Sequence, residues 1–488
     1  MNIRISKTKY LNGLQCKKLL WYIYNEPDAI PEPDEETQVI FAQGHLVGEY
    51  AKKLFPAGVE IDHTGSFEEG LRQTKELILK RVSIFEAALI YKNCYARADI
   101  LEPVRKDKWN LIEVKSTTGE KEVNYPDIAF QYYLYTGAGL KIDKCYLMCL
   151  DNAYVRKGAI EPEKLFQKID FTEEIKNKLS KTIAKNVAEM VKAISAKTYI
   201  EPCIGPHCHD PYECPLIDKC WEFLPERNVF LLYRNTKLPF SLIKEGIYEL
   251  AKIPERFELS EKNQIQVESE KTGKPYIDKE KIKEFLDTIH YPAYYMDFET
   301  WASAIPMLDG SRPYQLIPFQ FSLHVVREKG AAPEHYSFLA DDTTDPRPEF
   351  MEKLKDVMGT EGSVIVYNAG FELRILRECA EAFPKYKKWV ESIENRIVDL
   401  LKPFRDFAYY HPLQDGSCSI KNVLPVLTGK SYADLEISDG GMASREYYRV
   451  TFTDDNEDKA KVRKDLEEYC GLDTMGMVEI VEKFNALK

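Results

Sequence analysis

The sequence predicts a mixed α/β protein of at least two domains. A chain of 488 residues exceeds one ordinary domain, and 44% hydrophobic residues supply enough apolar side chains for two or three cores. Strand-like and helix-like periodicities are interleaved in both halves. Between the halves lies a Pro- and Cys-rich stretch, EPCIGPHCHDPYECPLIDKC at 201–220, followed by a charged segment without strong periodicity. The domains are placed at 1–222 and 289–488, with 223–288 as a connector of short helices.

In the first half, residues 6–24, 35–54 and 68–82 have helical apolar spacing. Strand-like runs follow at IFEAALIY, CYARADILEPV and WNLIEVKST, then a helix from about Tyr125 to Thr136, a strand at KCYLMCL and a long helix near 173–195. In the second half, strands are expected at AYYMDFET, IPFQFSLHVV and HYSFLA. They are followed by a helix at 346–358, the strand SVIVYN, a helix from about 370, the strand RIVDL and a final long helix from about 457. Three strands and then alternating helices and strands describe an RNase H-like fold.

A formal net charge of -12 and a pI near 5.4 show no global basic footprint and argue against a histone-like or purely electrostatic nucleic-acid binder. They leave room for a nuclease, which needs only a local basic channel and whose metal-binding acids lower the net charge. No run of eighteen apolar residues occurs, and MNIRISKTKYLNGLQ lacks the apolar core of a signal peptide, so a soluble cytoplasmic protein is expected. Eleven cysteines without export signals argue against a disulfide framework, and their clustering suggests metal. There is no internal repeat.

Asp297 and Glu299 lie two positions apart in YYMDFETW, so on a strand they emerge on one face while Tyr294, Met296 and Phe298 take the other. Adjacent negative charges repel, and a cation between them is the expected remedy. In VIVYNAGFELRIL, Glu372 falls in the first turn of a helix at the sheet edge; in EEYCGLDTMGM, Tyr469 and Asp473 at i and i+4 share a helix face. A metal-dependent phosphodiesterase needs such carboxylates converging on two divalent ions about 4 Å apart. A lone D-x-E strand is commonly solvated; the order and context of all three pieces carry the functional reading.

The pattern resembles the DnaQ-type 3'→5' exonucleases. That resemblance implies Asp297, Glu299, Glu372 and Asp473 as metal ligands and Tyr469 as the residue orienting the attacking water. Glu468 stands where the histidine subclass has its histidine, which favours the tyrosine subclass. The family has aspartate where this chain has Glu372, and Asp399 in NRIVDLL is either a rival ligand or an acid supporting the site from behind.

Upstream, Asp99 ends YARAD, and Glu113 and Lys115 follow in LIEVK across an expected hairpin. The spacing D-x13-E-x-K resembles the PD-(D/E)XK nucleases, which implies two metal-binding carboxylates and a lysine that positions water or stabilises developing charge. Gln131 and Tyr135 match the Q-x-x-x-Y of RecB-type enzymes, and His45 lies where those enzymes offer a metal-binding histidine, with Glu49 one turn on. An isolated E-x-K is ordinarily a surface ion pair.

Cys208, Cys214 and Cys220, with five residues between successive members, resemble the cluster segment of RecB-like nucleases carrying a 4Fe-4S centre, with Cys16 in LNGLQCKKLLW as fourth ligand. Cys203 is a substitute for one of these ligands, and His207 or His209 leaves a zinc site open as the alternative. Cys94, Cys145, Cys149, Cys379, Cys418 and Cys470 are expected to fill cores.

Jointly, LQCKKLLW, GPHCHDPYECPLIDKC, YYMDFETW, VYNAGFELRIL, NRIVDLL, GSCSIKNVLP and YCGLDT resemble the bacterial family carrying domain of unknown function 2779. In it a RecB-like, cysteine-cluster nuclease precedes a DnaQ-type exonuclease. The resemblance implies that domain architecture and no established substrate; the expected function is a hydrolase using Mg2+ or Mn2+ at both sites and acting on nucleic acid at ends or single strands, DNA favoured over RNA, with no membrane association. The alternatives are an RNA-processing exonuclease and a nucleic-acid-binding protein with one degenerate nuclease domain. Ser419 and Lys421 are expected either to touch a phosphate or to serve as an N-cap and a surface lysine.

Overall fold

The computed structural model describes residues 3–198 and 204–487, the side chain of residue 178 aside. It divides into two units, Met1–Phe223 with Ser303–Gln315, and Leu224–Ala302 with Leu316–Lys488. The stretch expected as a separate connector is therefore counted with the second unit. It has a small core of its own, Val229, Leu232, Leu242, Leu250, Ile253 and Val267. It is also tied down by a strand, β8 (Tyr276–Ile277), pairing with Tyr409–Tyr410. No helix among the described residues is long and apolar enough to cross a membrane.

Among its described residues the first unit carries a seven-stranded sheet. Its strands are β1 (Ile5–Ser6), β2 (Val59–Glu60), β3 (Ile84–Tyr91), β4 (Cys94–Pro103), β5 (Lys108–Lys115), β6 (Lys141–Leu150) and β7 (Phe166–Asp170). β3, β4 and β5 form an antiparallel meander, and helix Asn124–Gly137 crosses over to place β6 parallel to β5. The short β1 lies parallel to β4, with Ile5 opposite Cys94 and Ser6 opposite Tyr95. The expected helix over 6–24 is instead two helices, Lys7–Gln15 and Lys17–Asn25, because Cys16 adopts extended backbone between them (φ -154°, ψ 118°). The helix expected near 173–195 is likewise broken, with a wider π turn at Ile175–Leu179 before the regular Ser180–Ile194.

The second unit carries a five-stranded sheet among its described residues: β9 (Ala293–Trp301), β10 (Ile317–Val326), β11 (Glu334–Leu339), β12 (Ser363–Val366) and β13 (Ile397–Asp399), in the order β11-β10-β9-β12-β13. β9 to β11 are antiparallel neighbours, and β12 and β13 extend the sheet in parallel through helices, as crossover connections require. Tyr294, Met296 and Phe298 of β9 lie in the core with Phe321, Leu323, Phe350 and Ile375. Helix Lys459–Leu487 packs on β9 and β10. It is pinned there where Gln320 Nε2 donates to Leu466 O at 2.9 Å and where the Ser322 and Thr474 hydroxyls meet at 2.7 Å.

Candidate functional sites

In the second unit, pairing of β9 with β10 sets Asp297 opposite Ser322 and Glu299 opposite Gln320. The two polar residues of β10 that anchor the C-terminal helix thereby bring Tyr469 and Asp473 alongside the two acids. Burial, together with the charges of Asp473, Glu299 and Glu372, pushes Asp297 well above the ordinary carboxylate range. Burial and Asp473 do the same to Glu299, against the opposing pull of Lys421. Asp473 is raised to about 6, chiefly by burial. Asp297 thus feels the charges of three other acids, Glu299, Glu372 and Asp473, each of them buried.

Glu372 lies in the first turn of helix Ala369–Ala382, entered through Asn368 in the left-handed region (φ 87°). The residue is 1% exposed, and its carboxyl is raised to about 8, first by burial. Its Oε2 has no hydrogen-bond partner among the described residues. A buried carboxylate without a partner is costly, and a cation facing it would remove the cost. Asp399, the rival, is otherwise engaged: its Oδ1 accepts the Asn368 N–H at 3.1 Å and the Leu401 N–H at 3.0 Å. It holds the strand-to-helix turn that presents Glu372.

Possible ligand atoms of Asp297, Glu299 and Cys470 lie within 4.8 Å of one another. Burial and the neighbouring acids keep the Cys470 thiol well above its ordinary pKa, hence protonated and a poor ligand, in keeping with its expected place in the core.

The sequence reasoning missed Tyr432, which donates its phenol O–H to Asp473 Oδ1 at 2.5 Å. It lies in an irregular segment with no periodicity to flag it. Its ring lies 6.0 Å from that of Tyr469, and the Lys421 ammonium stands over both rings, 5.9 Å from Tyr432 and 5.5 Å from Tyr469. Ser419 caps the helix that carries Lys421, its Oγ accepting the Lys421 N–H at 3.4 Å.

In the first unit, Asp99 on β4 and Glu113 on β5 are brought together, with Lys115 Nζ 2.7 Å from Glu113 Oε1. Gln131 donates to Glu113 Oε2 at 2.6 Å. Tyr135 is directed elsewhere: its hydroxyl accepts the Ala98 N–H at 2.8 Å and donates to Ala87 O, clamping β3 to β4. Two further residues join the cluster. Asp127, one turn before Gln131, accepts from Lys115 at 2.9 Å, and Lys7 Nζ bridges Asp99 Oδ1 at 3.1 Å and Glu113 Oε1 at 2.8 Å. Burial, then Glu113, raise Asp99 to about 7; for Glu113 burial is outweighed by Lys115 and Lys7, which hold it well below its usual range. His45 and Glu49 lie at exposed positions on helix Glu35–Lys52 and line an open cleft of about 970 Å³ with Lys7 and Asp99.

The cysteines expected as cluster ligands also converge. Burial raises Cys214 to about 11, with added contributions from Cys16, Cys208 and Cys220. Cys16 and Cys220 pack with Leu19, Cys214 and Leu216. The break at Cys16 between two helices is what turns that residue toward the others. Cys203 lies outside the described residues. His207 Nε2 lies 4.0 Å from Cys208 Sγ, whereas His209 faces Glu213 at 3.7 Å and the Trp221 ring.

Residues 294–419 match the family model described as "Domain of unknown function (DUF2779)". The chain is also 28% identical over 222 residues to the "Uncharacterized protein MG366 homolog" of Mycoplasma pneumoniae (strain ATCC 29342 / M129 / Subtype 1), a match covering 41% of this chain. The chain spans 33% of the length of that curated relative. The matched family segment contains Asp297, Glu299, Glu372, Asp399 and Ser419, and ends before Lys421, Tyr432, Tyr469 and Asp473.

Proposed function

We propose that the protein is a metal-dependent nuclease with two hydrolytic units, a PD-(D/E)XK-like unit followed by an RNase H-like 3'→5' exonuclease unit, acting on DNA ends or single strands. The observation that carries this reading is the gathering of Asp297, Glu299, Glu372 and Asp473, with Asp297 raised by burial and by the charges of the other three, Glu299 raised by burial and by Asp473, and one orphaned carboxylate oxygen on Glu372. That donor set is all oxygen and fits Mg2+ or Mn2+. Divalent ions bound there would stabilise the attacking and leaving oxygens of a phosphodiester. Tyr469 holds the attacking water, Tyr432 fixes the orientation of Asp473, and Lys421 offers its ammonium to a phosphate oxygen. Ser419 acts as the cap that aims Lys421.

The test is cleavage of end-labelled single-stranded and duplex DNA, with matched RNA, by wild type, Asp297→Asn and Glu113→Gln in Mn2+. Each variant is expected to lose a distinct class of product. A protein whose cleavage survives in both variants is not this enzyme, and preferential cleavage of the RNA would move the substrate class.

Tyr432→Phe removes one hydrogen bond to a charged group. It is expected to slow the exonuclease by roughly 10- to 100-fold with folding intact, the equivalent of about 1.5–3 kcal/mol. An unchanged rate would leave Tyr432 as packing only.

For the cysteines, a 4Fe-4S cluster on Cys16, Cys208, Cys214 and Cys220 is the reading put forward, since four thiols gather from the chain start and from the segment after residue 203. Such a cluster would staple the two ends of the first unit. Cys214→Ser should then remove visible absorbance and bound iron from anaerobically purified protein and lower its melting temperature. Stoichiometric zinc in colourless wild type would establish the alternative.

A further inference from the structure

Lys7 has no counterpart in the nuclease pattern read from the sequence, yet it hydrogen-bonds both of that pattern's carboxylates, Asp99 and Glu113. It is the first residue of helix Lys7–Gln15, whose start is fixed on β4 by the pairing of Ser6 with Tyr95 and by Ser6 capping the helix through the Lys9 N–H at 3.3 Å. The chain before it is held as well: Ile5 N–H donates to Asn93 O at 2.7 Å, and Asn93 Nδ2 donates to Ile3 O at 2.9 Å. From this anchored base its ammonium reaches Asp99 Oδ1 at 3.1 Å and both oxygens of Glu113, at 2.8 and 3.0 Å. That is the position between two carboxylates in which a divalent ion would lie.

Access and charge point the same way. Lys7 and Asp99, each 23% exposed at the side chain, line the cleft, whereas Glu113 is 1% exposed and does not. An ion entering from the cleft therefore meets Lys7 before it meets Glu113. Asp99, Glu113 and Asp127 face two ammonium groups, Lys7 and Lys115, leaving one negative charge in excess. A divalent ion added beside Lys7 would overshoot to a net positive charge in a half-buried space; one that replaces Lys7 leaves the site neutral, the cheaper arrangement.

We propose that Lys7 is a tethered cation occupying the metal position of the first unit, and that divalent metal binds Asp99 and Glu113 only by displacing it. Lys7 is thus a positioning residue that holds the acids together before metal binds and sets the metal concentration at which the site fills. The proposal rests on the metal-dependent reading of Asp99 and Glu113 given above.

The experiment is calorimetric titration of Mn2+ into the full chain carrying Asp297→Asn and Asp473→Asn, which silences the second unit's acids, at a pH where the first unit's acids are ionised. Adding Lys7→Gln should tighten Mn2+ binding by on the order of tenfold or more, as expected for removing a unit charge a few ångströms from the ion. Lys7→Arg keeps the charge and should leave binding weak, which separates displacement of a cation from loss of packing. Binding that is unchanged or weaker in a folded Lys7→Gln protein, and that is abolished by Glu113→Gln, overturns the proposal while leaving the metal reading standing. Absence of Mn2+ binding in every protein, with or without Lys7, overturns both.

Discussion

Asp297→Asn should lower metal-dependent removal of 3'-terminal nucleotides by about 1,000-fold, the equivalent of roughly 4 kcal/mol of transition-state stabilisation. Asn keeps the shape of the side chain, so the C-terminal helix stays anchored through Gln320 and Ser322 and the melting temperature should hold or rise. A rise is physically reasonable: the substitution removes one of the mutually repelling acids that burial and Asp473 drive far above their ordinary range. Loss of activity coupled with retained or increased stability is the signature of a site strained for function. Loss of activity with unfolding would instead make Asp297 structural.

The metal-free protein should lose stability as pH rises from about 5 to about 8.5, and Mn2+ should restore it. Glu372 has a folded-state pKa of about 8 against 4.5 for the free group, and Asp473 about 6 against 3.8. A raised carboxyl keeps its proton in the folded state after the unfolded chain has released it, so its stabilising effect is complete below the unfolded value and is lost as pH climbs through the folded one. Asp99, raised to about 7, acts in the same sense, whereas Glu113, held low, keeps its full stabilising effect throughout this window and adds no slope. The melting temperature should fall by at least ~5 °C across the window, given ~2–4 °C per kcal/mol in a domain of this size. Metal binds the ionised acids, so the Mn2+-induced increase should grow with pH. Glu372→Gln should flatten the metal-free slope; a slope insensitive to this substitution and to Mn2+ would separate Glu372 from any cation.

The second unit was largely legible in the sequence because its signals are local. The alternation in YYMDFETW put Asp297 and Glu299 on one face and Met296 and Phe298 in the core, and the i, i+4 spacing put Tyr469 beside Asp473. The acidic first turn of the helix at Ala369–Ala382 was read from the strand-to-helix switch at Asn368. Tyr432 was not legible, since it reaches Asp473 across 41 positions from a segment with no periodicity. Lys7 was hidden for the same reason: it meets Asp99 across 92 positions, and a lysine in a helix's first turn ordinarily reads as solvated. Tyr135 shows the converse. Its motif spacing pointed at chemistry, and its hydroxyl is spent on the backbone of β3 and β4. The helix break at Cys16 had no Gly or Pro to announce it; the extended residue is the thiol that packs with Cys214.

The most direct measurement is anomalous scattering from crystals of the wild-type protein grown with Mn2+ at pH 7.5–8. Two manganese peaks about 4 Å apart among the carboxylates of Asp297, Glu299, Glu372 and Asp473 are predicted. No manganese at these four acids, with their carboxyls hydrogen-bonded to one another instead, would contradict the claim that this cluster is a metal-dependent hydrolytic centre.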